Sequence, residues 1–124
     1  MSKRARGKCG RFLALRSWLL ESPAWRSLPA TARALYIEIA ARYRGSNNGR
    51  ISFSVREGAN ALHISRATAC RMLGLLKERG FIVCTKRGAF SRKNVREASE
   101  WRLTEHNSDY PVAHATKDFM GWQP

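Results

Sequence analysis

Two arginines, Arg66 and Arg71, stand on either side of Thr68 in a stretch whose apolar spacing predicts a helix. A guanidinium group has a planar fork of donors that can bridge O6 and N7 of guanine. A threonine hydroxyl can donate or accept a hydrogen bond beside a thymine methyl group. Both chemistries fit contacts to base edges in a major groove. A solvated helix face and a contact to phosphate remain the other interpretations of the arginines.

The predicted helix begins after Ser65, whose hydroxyl can cap the first turn, and ends at Gly80. Its apolar stripe is expected to be buried and consists of Ala69, Met72, Leu73 and Leu76. The residues at its start and on its other side form the candidate recognition surface, which consists of Ser65, Arg66, Ala67, Thr68, Cys70 and Arg71. Gly74 also lies on that side, and glycine costs about 1 kcal/mol relative to alanine in a helix. Tight helix packing is the favoured reason for Gly74, and close approach of the backbone to DNA is the alternative.

Further basic residues flank a predicted β-hairpin. The β-rich runs Phe81 to Thr85 and Trp101 to Thr104 predict its two strands. Between them lie residues expected to contact phosphates, unless they are only solvated: Lys86, Arg87, Arg92, Lys93 and Arg96. An N-terminal arm, residues 1–11, has the composition of a mobile segment and adds Lys3, Arg4, Arg6 and Lys8.

The net charge agrees with a polyanionic partner. The chain has 23 Lys and Arg against 9 Asp and Glu, which gives a formal net charge of +14. Residues 1–96 hold 21 of the basic and 4 of the acidic side chains, whereas residues 97–124 have a small negative balance. Solubility alone does not require nearly every charge to share one sign. The cationic part of the chain is therefore predicted to attract nucleic acid.

Other kinds of chemistry have no clear candidates in the sequence. Cys9, Cys70 and Cys84 form an odd set without a close pair, and the histidines lack metal-ligand spacing, so we expect reduced thiols and no metal site. No pair of acids, phosphate loop or nucleophile motif indicates catalysis, which predicts a non-enzyme without a cofactor or small-molecule ligand. No apolar run approaches the ~20 residues that span a bilayer. A cytoplasmic, nucleoid-associated protein is expected.

The elements that must hold the recognition surface can be predicted from periodicity and caps. Ala30 to Arg44 has one apolar helical face, Gly45 supplies its stop, and residues 50–53 read as a short strand. Ser54 and Glu57 form a capping box that opens a helix ending at Leu62. The predicted order is helix, strand, helix, helix, strand, strand, in an α+β and mainly α fold. Three helices form its core, and a small antiparallel hairpin completes it.

Residues 55–76, VREGANALHISRATACRMLGLL, resemble a helix-turn-helix. Ala59 is small where the helices cross, Leu62 and Ile64 flank the turn, and His63 stands where glycine is usual. Histidine enters the left-handed region more readily than most residues, so the turn is expected to form. With the preceding helix and strand and the following hairpin, about residues 29–104 resemble the winged helix-turn-helix family. This resemblance implies a second helix in the major groove and a wing along the DNA backbone.

The segments NNGRISFS, GFIV, EWRLT and ATKDFM, together with the helix-turn-helix, are similar to small bacterial and mobile-element proteins of regulatory or replication type. Sequence-specific binding of double-stranded DNA by a transcription regulator is the leading hypothesis. Replication initiation for a plasmid or phage-like element is the first alternative, and RNA binding is the second. Phe81, Phe90 and Trp101 are expected to be buried in the hairpin, which disfavours RNA stacking.

The predicted domain organisation is the basic arm over residues 1–11, a winged helix-turn-helix domain over residues 12–104 and a C-terminal extension over residues 105–124. Two apolar segments lie outside the helix-turn-helix, from Trp18 to Trp25 and from Phe119 to Trp122. They could pair across the two-fold axis of a homodimer, or they could complete a single core. A homodimer is slightly favoured.

Overall fold

The computed structural model describes residues 10–88 and 98–124. Its helices are α1 (Ser17–Leu20), α2 (Pro23–Arg26), α3 (Ala30–Ala40), α4 (Val55–Leu62) and α5 (Arg66–Glu78). Its strands are β1 (Ile51–Ser52), β2 (Ile82–Lys86), β3 (Glu100–Leu103), β4 (Ser108–Asp109) and β5 (Val112–Ala113), and a 3-10 helix covers Asp118–Gly121. The fold is α+β, as predicted.

β3 is the central strand of a three-stranded antiparallel sheet with the order β1, β3, β2. Ile51 of β1 and Cys84 of β2 both face Trp101 of β3 in the register, and Ile82 faces Leu103. The predicted antiparallel pairing of the two strands is confirmed, with strand ends shifted by one residue. Lys86, expected between the two strands, belongs to β2, where the register shifts between Cys84 and Lys86.

The helix ends follow local hydrogen bonding. α4 has the predicted bounds, but α3 stops before the predicted Arg44. The backbone amides of Arg42 and Tyr43 donate to the carbonyls three residues back, so the helix tightens into a turn after Ala40. Gly45 then takes a φ of 90°, which suits glycine.

Aromatic rings join the two ends of the described chain in one core. Phe119 is fully buried and stacks on Phe81 with centroids 4.8 Å apart and on Trp18 with centroids 5.9 Å apart. Trp25 meets Tyr36 and Phe81 edge to face. The segment around Trp18 and the C-terminal apolar cluster thus complete a common core within one chain, the second of the two expected arrangements.

The segment after β3, where the sequence shows no strand pattern, forms the β4–β5 hairpin and is attached to the turn before β1. The side-chain amide nitrogen of the fully buried Asn48 donates to the carbonyls of Leu103 and Asn107 at 3.0 and 2.9 Å. Its side-chain oxygen accepts from the Leu103 amide at 2.7 Å. The Asp109 carboxylate accepts from the Asn48 backbone amide at 3.0 Å. Residues distant in sequence therefore form one structural unit.

A buried acid also lies in this segment. Tyr36 donates a hydrogen bond to Glu105, and both residues are buried. Burial raises the pKa of the Tyr36 hydroxyl well above its ordinary value, and the Glu105 charge and hydrogen bond raise it further. The neighbouring His106 ring stacks on Tyr43 with centroids 4.4 Å apart. Burial lowers the pKa of His106 below its ordinary 6.5, and Arg16 lowers it further while Glu105 opposes both.

Within residues 10–88 and 98–124, no helix combines the length and apolar character needed to cross a bilayer.

Candidate nucleic-acid interface

A capping box fixes the start of α4. The Ser54 hydroxyl accepts from the Glu57 amide at 3.0 Å, and the Glu57 carboxylate accepts from the Ser54 amide at 3.0 Å. Arg42 reaches across from the end of α3 to form a 3.0 Å ion pair with Glu57. Partial burial raises the pKa of Glu57, but the Ser54 hydrogen bonds and Arg42 outweigh it, so the pKa lies below its ordinary value. The predicted capping box is confirmed.

The α4–α5 turn depends on His63, and the packing of α4 on the core depends on Gly58, which was not predictable from the local sequence. His63 is left-handed, with φ 57° and ψ 47°, and the Ile64 amide donates to the Ala59 carbonyl at 3.1 Å. A Cβ on Gly58 would come within 2.9 Å of Leu35 Cδ1 and 3.2 Å of Phe53 Cε2. Glycine at position 58 therefore lets α4 approach the core closely.

α5 begins with a compact group of polar side chains. The Ser65 hydroxyl accepts from the Thr68 amide at 3.1 Å and donates to the Thr68 hydroxyl at 3.0 Å. Arg71 bends back along the helix, and its guanidinium lies 3.5 Å from the Thr68 hydroxyl. Two of the residues predicted for base recognition are thus adjacent near the start of the helix, and Arg66, the first residue of α5, is exposed.

The burial pattern of α5 divides it as predicted. Ala69, Met72, Leu73 and Leu76 are buried. The exposed residues at and after the cap include Ser65, Arg66, Ala67, Cys70 and Arg71, while Thr68 is half-buried. Ala67, Cys70 and Gly74 lie at helical spacing and leave a low strip between the long arginine side chains.

The expectation that Gly74 serves tight packing is wrong. Outside its own stretch of helix, a Cβ at this position would meet no atom of the described residues within 4 Å, and Gly74 is exposed. The side of α5 that it occupies faces away from the core, so none of the described helices packs against it. Packing of Gly74 against the described residues therefore does not compensate for the lower helix propensity of glycine relative to alanine.

Of the five residues predicted to contact phosphates from the β2–β3 hairpin, two lie among the described residues. Lys86 and Arg87 are exposed at the end of β2. The Gly88 amide donates to the Ser99 hydroxyl at 2.9 Å and brings the two arms of the hairpin together. Arg92, Lys93 and Arg96 lie outside the described residues, as do Lys3, Arg4, Arg6 and Lys8 of the arm.

A second basic group was not singled out from sequence. The turn between α3 and β1 carries Arg44 and Arg50, and Arg50 lies over the Tyr110 ring of the β4–β5 hairpin. The arginine spacing in RYRGSNNGR was visible in the sequence, but its proximity to Tyr110 depends on the long-range contacts of Asn48. Among described residues, no group of three or more His, Cys, Asp or Glu could hold a metal ion.

Comparisons with protein-family models, with curated proteins and with solved structures find no match to this chain.

Proposed function

We propose that this protein binds double-stranded DNA in a sequence-specific manner as a winged helix-turn-helix protein and regulates transcription. In this proposal α5 enters the major groove, and the β2–β3 hairpin lies along the DNA backbone. The element order supports it, because α3, β1, α4, α5 and a hairpin follow one another as the family resemblance implies.

The observation that carries the proposal is the exposed side of α5. Arg66 and Arg71 project from the N-terminal half of the helix, where recognition helices contact base edges. The low strip of Ala67, Cys70 and Gly74 would let the helix backbone approach the floor of the groove without steric obstruction. Arginine side chains beside such a strip can reach guanine O6 and N7.

The hairpin supplies the complementary contact in this proposal. Lys86 and Arg87 extend from the end of β2, and phosphate contacts by such residues orient a protein on duplex DNA without discriminating among sequences. Base recognition and phosphate binding are thereby assigned to different elements.

The proposal is tested by selecting bound sequences from random duplex DNA and then comparing two variants on the preferred and a random duplex. Arg71→Ala should weaken binding to the preferred site by about 1–3 kcal/mol and leave random DNA less affected. A Lys86→Ala and Arg87→Ala double variant should weaken both duplexes by similar factors and reduce the salt slope by about two units. Arg26→Ala, which removes an exposed charge on α2, is the control.

The opposite pattern would refute this assignment. If the hairpin variant lost sequence preference while Arg71→Ala retained it, the hairpin would be the base-reading element. If selection enriched no sequence, specific duplex recognition would be excluded. A palindromic winning sequence would indicate binding as a homodimer.

A further inference from the structure

A cleft of about 560 Å³ opens between the α3–β1 turn and the β4–β5 hairpin. Its lining includes Arg42, Arg44, Ser46, Asn47, Arg50 and Tyr110. Three of these side chains are cationic, and the described residues that line the cleft include no carboxylate. The cleft is separate from the exposed side of α5, whose residues are absent from its lining.

Local hydrogen bonds fix the backbone of the turn that carries the arginines of the cleft. The Asn47 side chain accepts from the Arg44 amide at 2.8 Å and donates to the Arg42 carbonyl at 3.0 Å, which closes the turn. Arg42 also donates to the Ser52 carbonyl at 2.8 Å. The backbone of the turn is therefore fixed before any ligand arrives.

Tyr110 reaches the cleft because Gly49 has no side chain. Gly49 adopts a φ of 107°, and a Cβ there would overlap the backbone carbonyl of Tyr110. The amide of Tyr110 also donates to the Asn48 carbonyl at 2.9 Å. An aromatic ring is thus held beside the basic turn, although it comes from a segment far along the chain.

The three arginines of the cleft differ in whether a carboxylate pairs with them. Arg42 is paired with Glu57, whereas neither Arg44 nor Arg50 forms a salt bridge with any described residue. The Arg50 guanidinium lies 4.1 Å from the Tyr110 ring centroid, and 42% of Tyr110 remains exposed. Two cations without a carboxylate partner among the described residues therefore line the same cleft as a partly exposed aromatic ring.

We propose that this cleft binds an unpaired nucleic-acid strand, with phosphates at Arg44 and Arg50 and a base stacked on Tyr110. Single-strand sites combine cationic grooves with aromatic side chains, because an unpaired base exposes the face that a duplex keeps stacked. Single-stranded DNA and RNA share this chemistry. The inference goes beyond the proposed duplex contact and does not require it. A protein that held both forms of DNA would suit the replication alternative.

The test measures fluorescence anisotropy of labelled oligothymidylate and oligouridylate of about 12 nucleotides, a length within the range of single-strand sites. Arg44→Ala and Tyr110→Leu should each weaken binding of the preferred strand at least about fivefold, the loss expected for one weak stacking or cationic contact. Arg26→Ala removes one exposed charge outside the cleft and should change binding less than about twofold. Circular dichroism and thermal unfolding establish that each variant is folded.

Duplex binding by the same variants separates this inference from the proposed function. Arg44→Ala and Tyr110→Leu should bind duplex DNA as Arg26→Ala does, whereas Arg71→Ala should lose duplex preference and keep single-strand binding. The site is supported if the DNA or the RNA strand binds the wild type and binds Arg44→Ala and Tyr110→Leu more weakly by the stated factor. The strand that binds identifies the kind of nucleic acid that the cleft accepts. Absence of binding to both strands, or equal losses in Arg26→Ala, would overturn it. Parallel losses on duplex and single strands would also overturn it, because they would show that the cleft holds a duplex backbone.

Discussion

Gly74 lies on the exposed side of α5, where nothing in the described chain occupies the space that a side chain would take. Sequence reasoning could identify the energetic cost of glycine in this helix but not its reason, because the neighbours of Gly74 depend on how α5 packs. With packing excluded, the remaining hypothesis from sequence is that the backbone approaches DNA here.

This hypothesis predicts opposite effects on stability and binding. Gly74→Ala should raise the free energy of unfolding by about 1 kcal/mol, since alanine has the higher helix propensity and meets no neighbour. It should also weaken duplex binding, because the added methyl group would stand between the helix and the groove. Denaturant titration and binding to the selected duplex measure the two effects. Gly121→Ala, where a Cβ also meets no atom of the described residues within 4 Å, should leave duplex affinity unchanged. Unaltered binding by Gly74→Ala would exclude close backbone approach.

His63 illustrates what could be predicted for a single residue. Its place in the helix-turn-helix resemblance indicated a left-handed conformation, and the structure gives φ 57° there. The requirement for glycine at position 58 was not predictable, because the atoms that crowd it belong to Leu35 and Phe53. The backbone conformation of a residue can be predicted from its neighbours in sequence, whereas its close packing depends on residues that are distant in sequence.

The start of α4 is stabilised both by its own capping serine, Ser54, and by the ion pair that Arg42, just after α3, forms with Glu57. Ser54→Ala should lower the free energy of unfolding by about 1 kcal/mol, because the Glu57 amide loses its side-chain acceptor at the helix start. Urea denaturation followed by circular dichroism measures the change. Ser17→Ala, an exposed serine at the start of α1, is the matched control and should have little effect. Equal losses in the two variants would contradict a specific role for the cap.

Elements with strong periodicity or capping residues were predictable. α4 has its predicted bounds, and the buried stripe of α5 was identified residue by residue. β4 and β5 were missed because each has only two residues and neither shows alternation. For the candidate interface, the exposed arginines of α5 could be predicted from periodicity. The cleft beside Tyr110 could not, because it forms only when two separate turns meet.

At the scale of the molecule, Asn48 joins the turn before β1 to the segment after β3. Asn48→Ala should lower the free energy of unfolding by roughly 3 kcal/mol, because several buried backbone groups would lose their partners at once. Asn47→Ala should cost about 1 kcal/mol, since Asn47 closes a partly exposed turn. Chemical denaturation compares the two variants. A loss no larger for Asn48→Ala than for Asn47→Ala would refute this role.

His106 should make the stability of the fold depend on pH. The pKa of His106 in the folded protein lies below its ordinary value of 6.5. Above pH 6.5 His106 therefore does not reduce the free energy of unfolding. As the pH falls from 6.5 towards the lowered pKa, the unfolded state binds the proton more readily, so the free energy of unfolding decreases. His106→Phe retains a ring against Tyr43 but cannot titrate. It should therefore lose less stability between about pH 8 and about pH 5 than the wild type does.

Urea denaturation at both pH values measures the difference. His114→Ala, at an exposed histidine, should follow the wild type. Identical pH dependence in His106→Phe and the wild type would show that another group causes the decline.

The stack of Trp18 on Phe119 has a consequence for the order of events during protein synthesis. As the chain leaves the ribosome, α4 and α5 emerge well before Phe119, which later fills the centre of the aromatic core. A nascent chain therefore carries its basic helix on an incomplete core, with Phe81 still lacking one of its aromatic neighbours. Synthesis of the chain through Phe119, rather than the appearance of the helix itself, determines when the core that supports α5 is complete.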